Sequence, residues 1–148
     1  PQPPPKHIRR PYHEWTEWEV GDVVSYRLLS GRYILLRVVG HDTSQWERRP
    51  MVEIVDWVGD ELPLPDAIAT LPARRPTAKS EERRLYSTRF EVARWSKTDY
   101  PADRLSVVAR GVPVAPWPKV KPSHPDYSWS VTWWKELDQL LRGGFGLE

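Results

Sequence analysis

GDVVSYRLLSGRYILLRVVG, residues Gly21 to Gly40, decides the fold. In an extended chain successive side chains point to opposite faces. Val24, Tyr26 and Leu28 therefore share one face, and Val23, Ser25 and Arg27 the other. The same alternation returns in Ile34, Leu36 and Val38 against Tyr33, Leu35, Arg37 and Val39. Between the two runs lies LSGR, where Gly31 supplies the positive φ that a short hairpin loop demands. The stretch predicts two antiparallel strands joined by a tight turn.

Working outward, residues 40–50 (GHDTSQWERRP) are polar and predict a loop. Met51 to Gly59 is rich in β-branched residues and predicts a third strand. Pro65 suits the first turn of a short helix over Asp66 to Leu71, which Pro72 stops. Its Ile68 and Leu71 would cap the barrel. Residues 73–84 are charged, lack an apolar period and read as a linker. Leu85 to Trp95 alternates as a fourth strand, with Tyr86, Thr88, Phe90 and Val92 opposite Arg89, Glu91 and Ala93. Arg104 to Val112 predicts a fifth strand, ended by Gly111. Five prolines between Pro113 and Pro125 exclude a helix or a central strand there. A closing helix is predicted from the cap Ser130, with Trp133, Trp134, Leu137, Leu140 and Leu141 on one stripe. Arg142 suits its C-terminal dipole and Gly143 its stop.

Strands in meander order without long crossovers argue for α+β, a small antiparallel barrel of five strands with a C-terminal amphipathic helix. Residues 1–12 hold five prolines and three basic residues and read as an extended arm. Residues 13–146 form one globular domain, and Leu147-Glu148 reads as a cloning scar. Pro1 opens the chain and Met51 is its only methionine, which implies a native start upstream.

One resemblance follows from the hairpin. Gly21-Asp22, a short apolar strand, Gly31-Arg32-Tyr33 and a strand ending in Arg37-Val38 resemble the opening hairpin of Imm26-type bacterial immunity proteins. The match spans about residues 18–40. It implies an SH3-like architecture and a role in neutralising a partner toxin. It implies no catalytic residue.

Composition narrows the classes. The 148-residue length is that of one domain. The absence of cysteine excludes disulfides, thiolate metal sites and a cysteine nucleophile, and fits a reducing, cytoplasmic setting. The longest uncharged apolar run, Tyr33 to Leu36, is far short of the roughly 20 residues of a membrane span. A net charge of +2 implies no polyanionic partner by itself. Sixteen prolines and nine tryptophans point to long ordered loops and to aromatic packing or recognition.

The candidate chemistry is sparse. His41 and Asp42 are neighbours, but adjacent side chains on an extended chain point apart. His7, His13, His41 and His124 show no metal-ligand spacing. Asp56, Asp60 and Glu61 flank Trp57 and Gly59. Paired carboxylates beside an aromatic suit sugar chemistry, whereas Asp56 paired with Arg37 across the sheet would be structural. Nucleotide-cradling and nucleophile-elbow motifs are missing from the sequence.

Residues 74–97 carry eight positive and three negative side chains, interleaved with Tyr86 and Trp95. Such a strip suits an acidic protein surface or a nucleic-acid strand. Trp57, Trp133 and Trp134 belong to the core by position, whereas Trp15, Trp18, Trp46, Trp117 and Trp129 fall in loops or at element edges. There they pack on the proline-rich segment or form an interface. The leading expectation is a non-enzymatic protein-binding module of the immunity or adaptor kind, with no cofactor and no metal. Its expected contact residues are Trp46, Arg48, Arg49, Arg84, Arg89 and Trp95. The alternatives are a nucleic-acid-binding barrel using the basic strip and a small hydrolase using Asp56 or His41.

Overall fold

Period-two alternation across several short runs is satisfied only when each strand finds a neighbour. A computed structural model describes residues 13–74, 89–94, 98–114 and 131–147. Its elements are β1 (Val23–Arg27), β2 (Tyr33–Thr43), β3 (Arg48–Gly59), helix α1 (Pro65–Ala69), β4 (Arg89–Ala93), a 3-10 turn at Ala102–Arg104, β5 (Leu105–Ala109), β6 (Val131–Trp133) and helix α2 (Trp134–Gly144). The strands form one six-stranded sheet in the order β5-β1-β2-β3-β4-β6. The domain is α+β, as expected.

The first hairpin pairs as its alternation predicts, with Val24 opposite Leu36 and Tyr26 opposite Ile34. Gly31 has φ 95° in its turn. The Gly21-Asp22 pair is accounted for by geometry. Gly21 sits at φ 93°, and a Cβ there would lie 2.9 Å from the carbonyl oxygen of Val112. Asp22 closes the entry to β1, its carboxylate accepting the backbone N–H of Glu19 at 2.9 Å.

Five differences from expectation have physical causes. The polar run 40–50 is mostly strand: β2 continues to Thr43 and β3 begins at Arg48, leaving a four-residue turn. Two register shifts, between Ile34 and Leu36 and between Val38 and Gly40, bend this long hairpin. The start of the expected linker runs back along β3, where Ala73 bridges Val55 and Arg74 donates its N–H to Ile54 O at 2.8 Å. Val131–Trp133 is a strand parallel to β4, so α2 starts at Trp134 with Trp133 as its N-cap residue and no side-chain cap. Gly143 lies inside α2, and the positive φ falls at Gly146. Finally, the sheet is open: β5 and β6 are its two edges, and no barrel closes among the described residues. Residues 75–84 of the linker, 85–88 of the fourth strand, the prolines beyond 114 and Ser130 lie outside the described residues.

Both sheet faces are buried. On one, Tyr26, Ile34, Leu36, Val38, Val52, Phe90 and Val92 pack under Trp134, Leu137 and Leu141 of α2. Asp138 fastens that helix, accepting the Leu29 N–H at 2.8 Å and Arg104 Nη2 at 2.6 Å. Leu147 also packs against this cluster. On the other face Val23, Leu35 and Val55 meet Val112 and Ile68 of α1, which lies on the sheet face and caps no barrel.

That second face also carries charge. Arg37, Glu53 and Arg89 stand opposite one another on β2, β3 and β4. Glu53 is 2 % exposed. It receives Arg37 Nε at 2.6 Å and Arg89 Nε at 3.1 Å. Arg37 also donates to Leu71 O at 3.0 Å, which ties down the segment after α1. The expected partner of Arg37, Asp56, is instead exposed and paired with Arg74 at 2.9 Å. Asp56 lies three positions beyond Glu53, an odd offset, so the two point to opposite faces and only Glu53 is aligned with Arg37. Removing one member of a buried ion pair leaves its partner charged and dry, which costs about 3–5 kcal/mol. Glu53→Ala should lower the urea unfolding free energy by about that amount. The double substitution Arg37→Met with Glu53→Leu should recover much of the loss.

Candidate functional site

A second charge cluster leads from the sheet to a pocket. Arg49 follows the parity of Met51 and Glu53 on β3 and so stands on the charged face. Its Nη2 lies 2.8 Å from Glu47, its Nε 3.7 Å from Glu14 and its Nη1 3.8 Å from Glu91. Glu14 belongs to the segment before β1, which runs parallel to the start of β3: Trp15 bridges Arg48, Arg48 N–H donates to Glu14 O, and Thr16 N–H donates to Arg48 O. That pairing delivers the Glu14 carboxylate to the end of β4. There Oε1 accepts the Arg94 backbone N–H at 2.9 Å, and Oε2 lies 3.2 Å from Arg94 Nε.

Around this pair is a pocket of about 170 Å³, lined by residues 14–18, Pro50, Arg94, Tyr100 and Trp134. Its walls are aromatic. Trp134 meets Tyr100 edge to face at 5.3 Å and Trp18 at 5.9 Å between ring centroids. Edge-to-face is a favoured arrangement for aromatic pairs. The Arg94 guanidinium stacks 3.9 Å above the Tyr100 ring. Trp134 is itself buried, and its indole N–H has no hydrogen-bond acceptor among the described residues. The indole is near enough to Glu14 to favour its charged form, but no hydrogen bond closes between them.

At the rim the rings turn outward. Trp15 is 53 % exposed and Trp46, in the β2-β3 turn, 62 %. The Trp46 ring lies 6.0 Å from His13, so the turn and the 13–18 segment form one continuous edge.

The expected contact residues divide accordingly. Trp46, Arg48 and Arg49 come together here. Arg48 is tied to Thr16 O and to Glu19 at 2.8 and 3.0 Å. Arg89 stands farther along the sheet, held by Glu53. Arg84 and Trp95 lie outside the described residues. His41 Nε2 donates to Trp18 O at 2.7 Å, so it holds the pocket wall. Three or more potential metal ligands do not converge anywhere among the described residues. Nor is any helix among them long and apolar enough to cross a membrane.

Sequence reading missed Glu14, Trp18, Tyr100 and Trp134 as a group. The signal available was the run Glu14-Trp15-Thr16-Glu17-Trp18, dense in rings and carboxylates ahead of the first strand. No family model, curated protein or solved structure matches the chain.

Burial pushes the Glu14 carboxyl above its ordinary value, against the opposing pull of the Arg94 backbone N–H and the charges of Arg94 and Arg49. A carboxyl raised in the folded state binds protons more tightly there than in the unfolded chain. Its contribution to stability is therefore full below the ordinary value and is lost as pH rises through the folded one. Urea unfolding of the wild type and Glu14→Gln across that window should show the slope in the difference between the two. The wild type should lose stability relative to the variant as pH rises.

Proposed function

We propose that the chain is a non-enzymatic protein-binding module of the immunity or adaptor kind, acting through the edge formed by Trp15, Trp46 and the aromatic pocket. One observation carries the proposal: two exposed tryptophans, Trp15 lining a pocket of packed aromatic rings and Trp46 in the turn beside His13, stand on one edge of the domain. Aromatic anchors on a pre-organised surface are what binding hot spots are made of. The resemblance of residues 18–40 to the Imm26-type hairpin points the same way. It adds an SH3-like ancestry for β1 and β2, a toxin as partner and a cytoplasmic setting in keeping with a chain free of cysteine.

The nucleic-acid alternative asks for arginines that can meet phosphates. Arg48, Arg49 and Arg89 are each engaged by carboxylates, and Glu14 and Glu17 line the pocket. A hydrolase would need Asp56 or His41 to be available, and each is held, by Arg74 and by Trp18 O.

Cross-linking and pull-down from lysate of the native host, using wild type and the Trp15→Ala/Trp46→Ala double variant, tests the proposal. The wild type should retain a specific protein that the variant loses by about tenfold or more. A captured species that is nucleic acid, released steeply by salt, would replace this reading with the alternative.

A further inference from the structure

We infer that Trp15 and Glu17 form the seat for an arginine of the partner protein, its guanidinium lying on the indole and donating to the carboxylate. The inference rests on the protein-binding reading and specifies what the exposed edge recognises.

The segment before β1 is extended: Trp15 bridges Arg48 in parallel, and no turn or bend interrupts residues 13–19. Its side chains alternate. Those at 14, 16 and 18 are buried or half-buried, and His13, Trp15, Glu17 and Glu19 are exposed, so these four form one outward row. The two ends of the row are engaged, His13 with the Trp46 ring and Glu19 with Arg48. The side chains in the middle, Trp15 and Glu17, have no ring, hydrogen-bond or ion-pair partner among the described residues. The arginines of this edge are held elsewhere: Arg48 by Glu19, Arg49 by Glu47 and Arg94 by Glu14. Of the charged residues lining the adjoining pocket, Glu14 and Arg94 pair, and Glu17 is left uncompensated.

An indole and a carboxylate two residues apart on an extended chain, with about 7 Å between their Cα atoms, suit a cation, and indole is the best aromatic face for one. The domain itself shows which cation fits such a pair. Arg94 lies 3.9 Å over the Tyr100 ring and 3.2 Å from Glu14. Arg74 lies 4.0 Å over Phe145 and 2.9 Å from Asp56. Arg104 lies 4.7 Å over Tyr26 and 2.6 Å from Asp138. In each case one guanidinium joins a ring to a carboxylate. Trp15 and Glu17 are a further ring and carboxylate, turned outward and without the arginine. A planar guanidinium stacks on a ring and forks onto a carboxylate at once, whereas a lysine ammonium is a compact, strongly hydrated point charge. The partner is therefore basic where it meets this edge, the reverse of the acidic surface that the arginine-rich strip 74–97 suits.

The test uses the full chain and three blocked, dye-labelled peptides in which serine alternates with arginine, lysine or citrulline. Citrulline keeps the shape of arginine and removes its charge. Fluorescence anisotropy should show saturable binding of the arginine peptide, with the lysine peptide about threefold weaker and the citrulline peptide about tenfold weaker. Glu17→Gln should weaken the arginine peptide by about threefold and Trp15→Ala by about fivefold. Glu61→Gln, an exposed carboxylate beyond the other end of β3, should leave it unchanged. Circular dichroism confirms that the variants are folded. No binding of the arginine peptide, equal binding of the arginine and lysine peptides, an affinity unchanged in both Glu17→Gln and Trp15→Ala, or an equal loss in Glu61→Gln overturns the inference. If the arginine peptide fails while the Trp15→Ala/Trp46→Ala variant still loses the captured protein, the arginine seat is wrong and the protein-binding reading stands. If the arginine peptide binds as expected and the double variant still captures the protein, the reverse holds.

Discussion

Glu53 is the residue on which the remaining architecture leans. Its carboxylate sits dry in the middle of the sheet and is tolerable there only because Arg37 and Arg89 approach it from the flanking strands. Those two arginines can reach it in one register alone. Shifting either strand by one residue would move an arginine to the face under α2 and leave a buried charge uncompensated. A hydrophobic residue at the same place would tolerate such slippage far better. The apolar faces on both sides supply most of the burial, and they would accept several alignments. The charged triad selects one of them. Through Leu71 O it also fixes where the chain leaves α1.

The same logic, repeated at the end of β3 and β4, builds the pocket. Glu14 is drawn beneath the surface by Arg94 and Arg49, and it carries Trp15 and Trp18 with it. Two of the arginines that look like a binding patch in the sequence, Arg48 and Arg49, are thus mainly struts. They hold aromatic side chains in place, and the aromatic side chains provide the surface offered outward.

Much of this could be read from sequence where the deciding contacts are local. The β1-β2 hairpin, the body of β3, α1 and the burial of Ile68 follow from alternation, β-branched residues and proline placement within a few residues of one another. The failures share a different cause. Val131–Trp133 has a plausible helical pattern, and only β4, about forty residues earlier, makes it a strand. Asp56 and Glu53 are equally acidic in the sequence; the register with β2 decides which one meets Arg37. Trp134 looks like an ordinary core residue of an amphipathic helix, and it is one, but it also lines the pocket. That pocket is assembled from residues 14–18, 50, 94, 100 and 134. No window of the sequence contains it.

The placement of β5 beside β1 has a further consequence. Val24 pairs with Val107, and Leu29 is pinned by Asp138, 109 residues along the chain. The chain as far as the end of β5 must therefore have left the ribosome before its first strand can acquire its second neighbour. The β2-β3 hairpin can form early from local contacts, but during synthesis β1 presents an unpaired edge to the cell. Folding dominated by such distant pairings is slow. The short strands, the bulges and the charges along the second face limit how well a stray strand could add to that waiting edge.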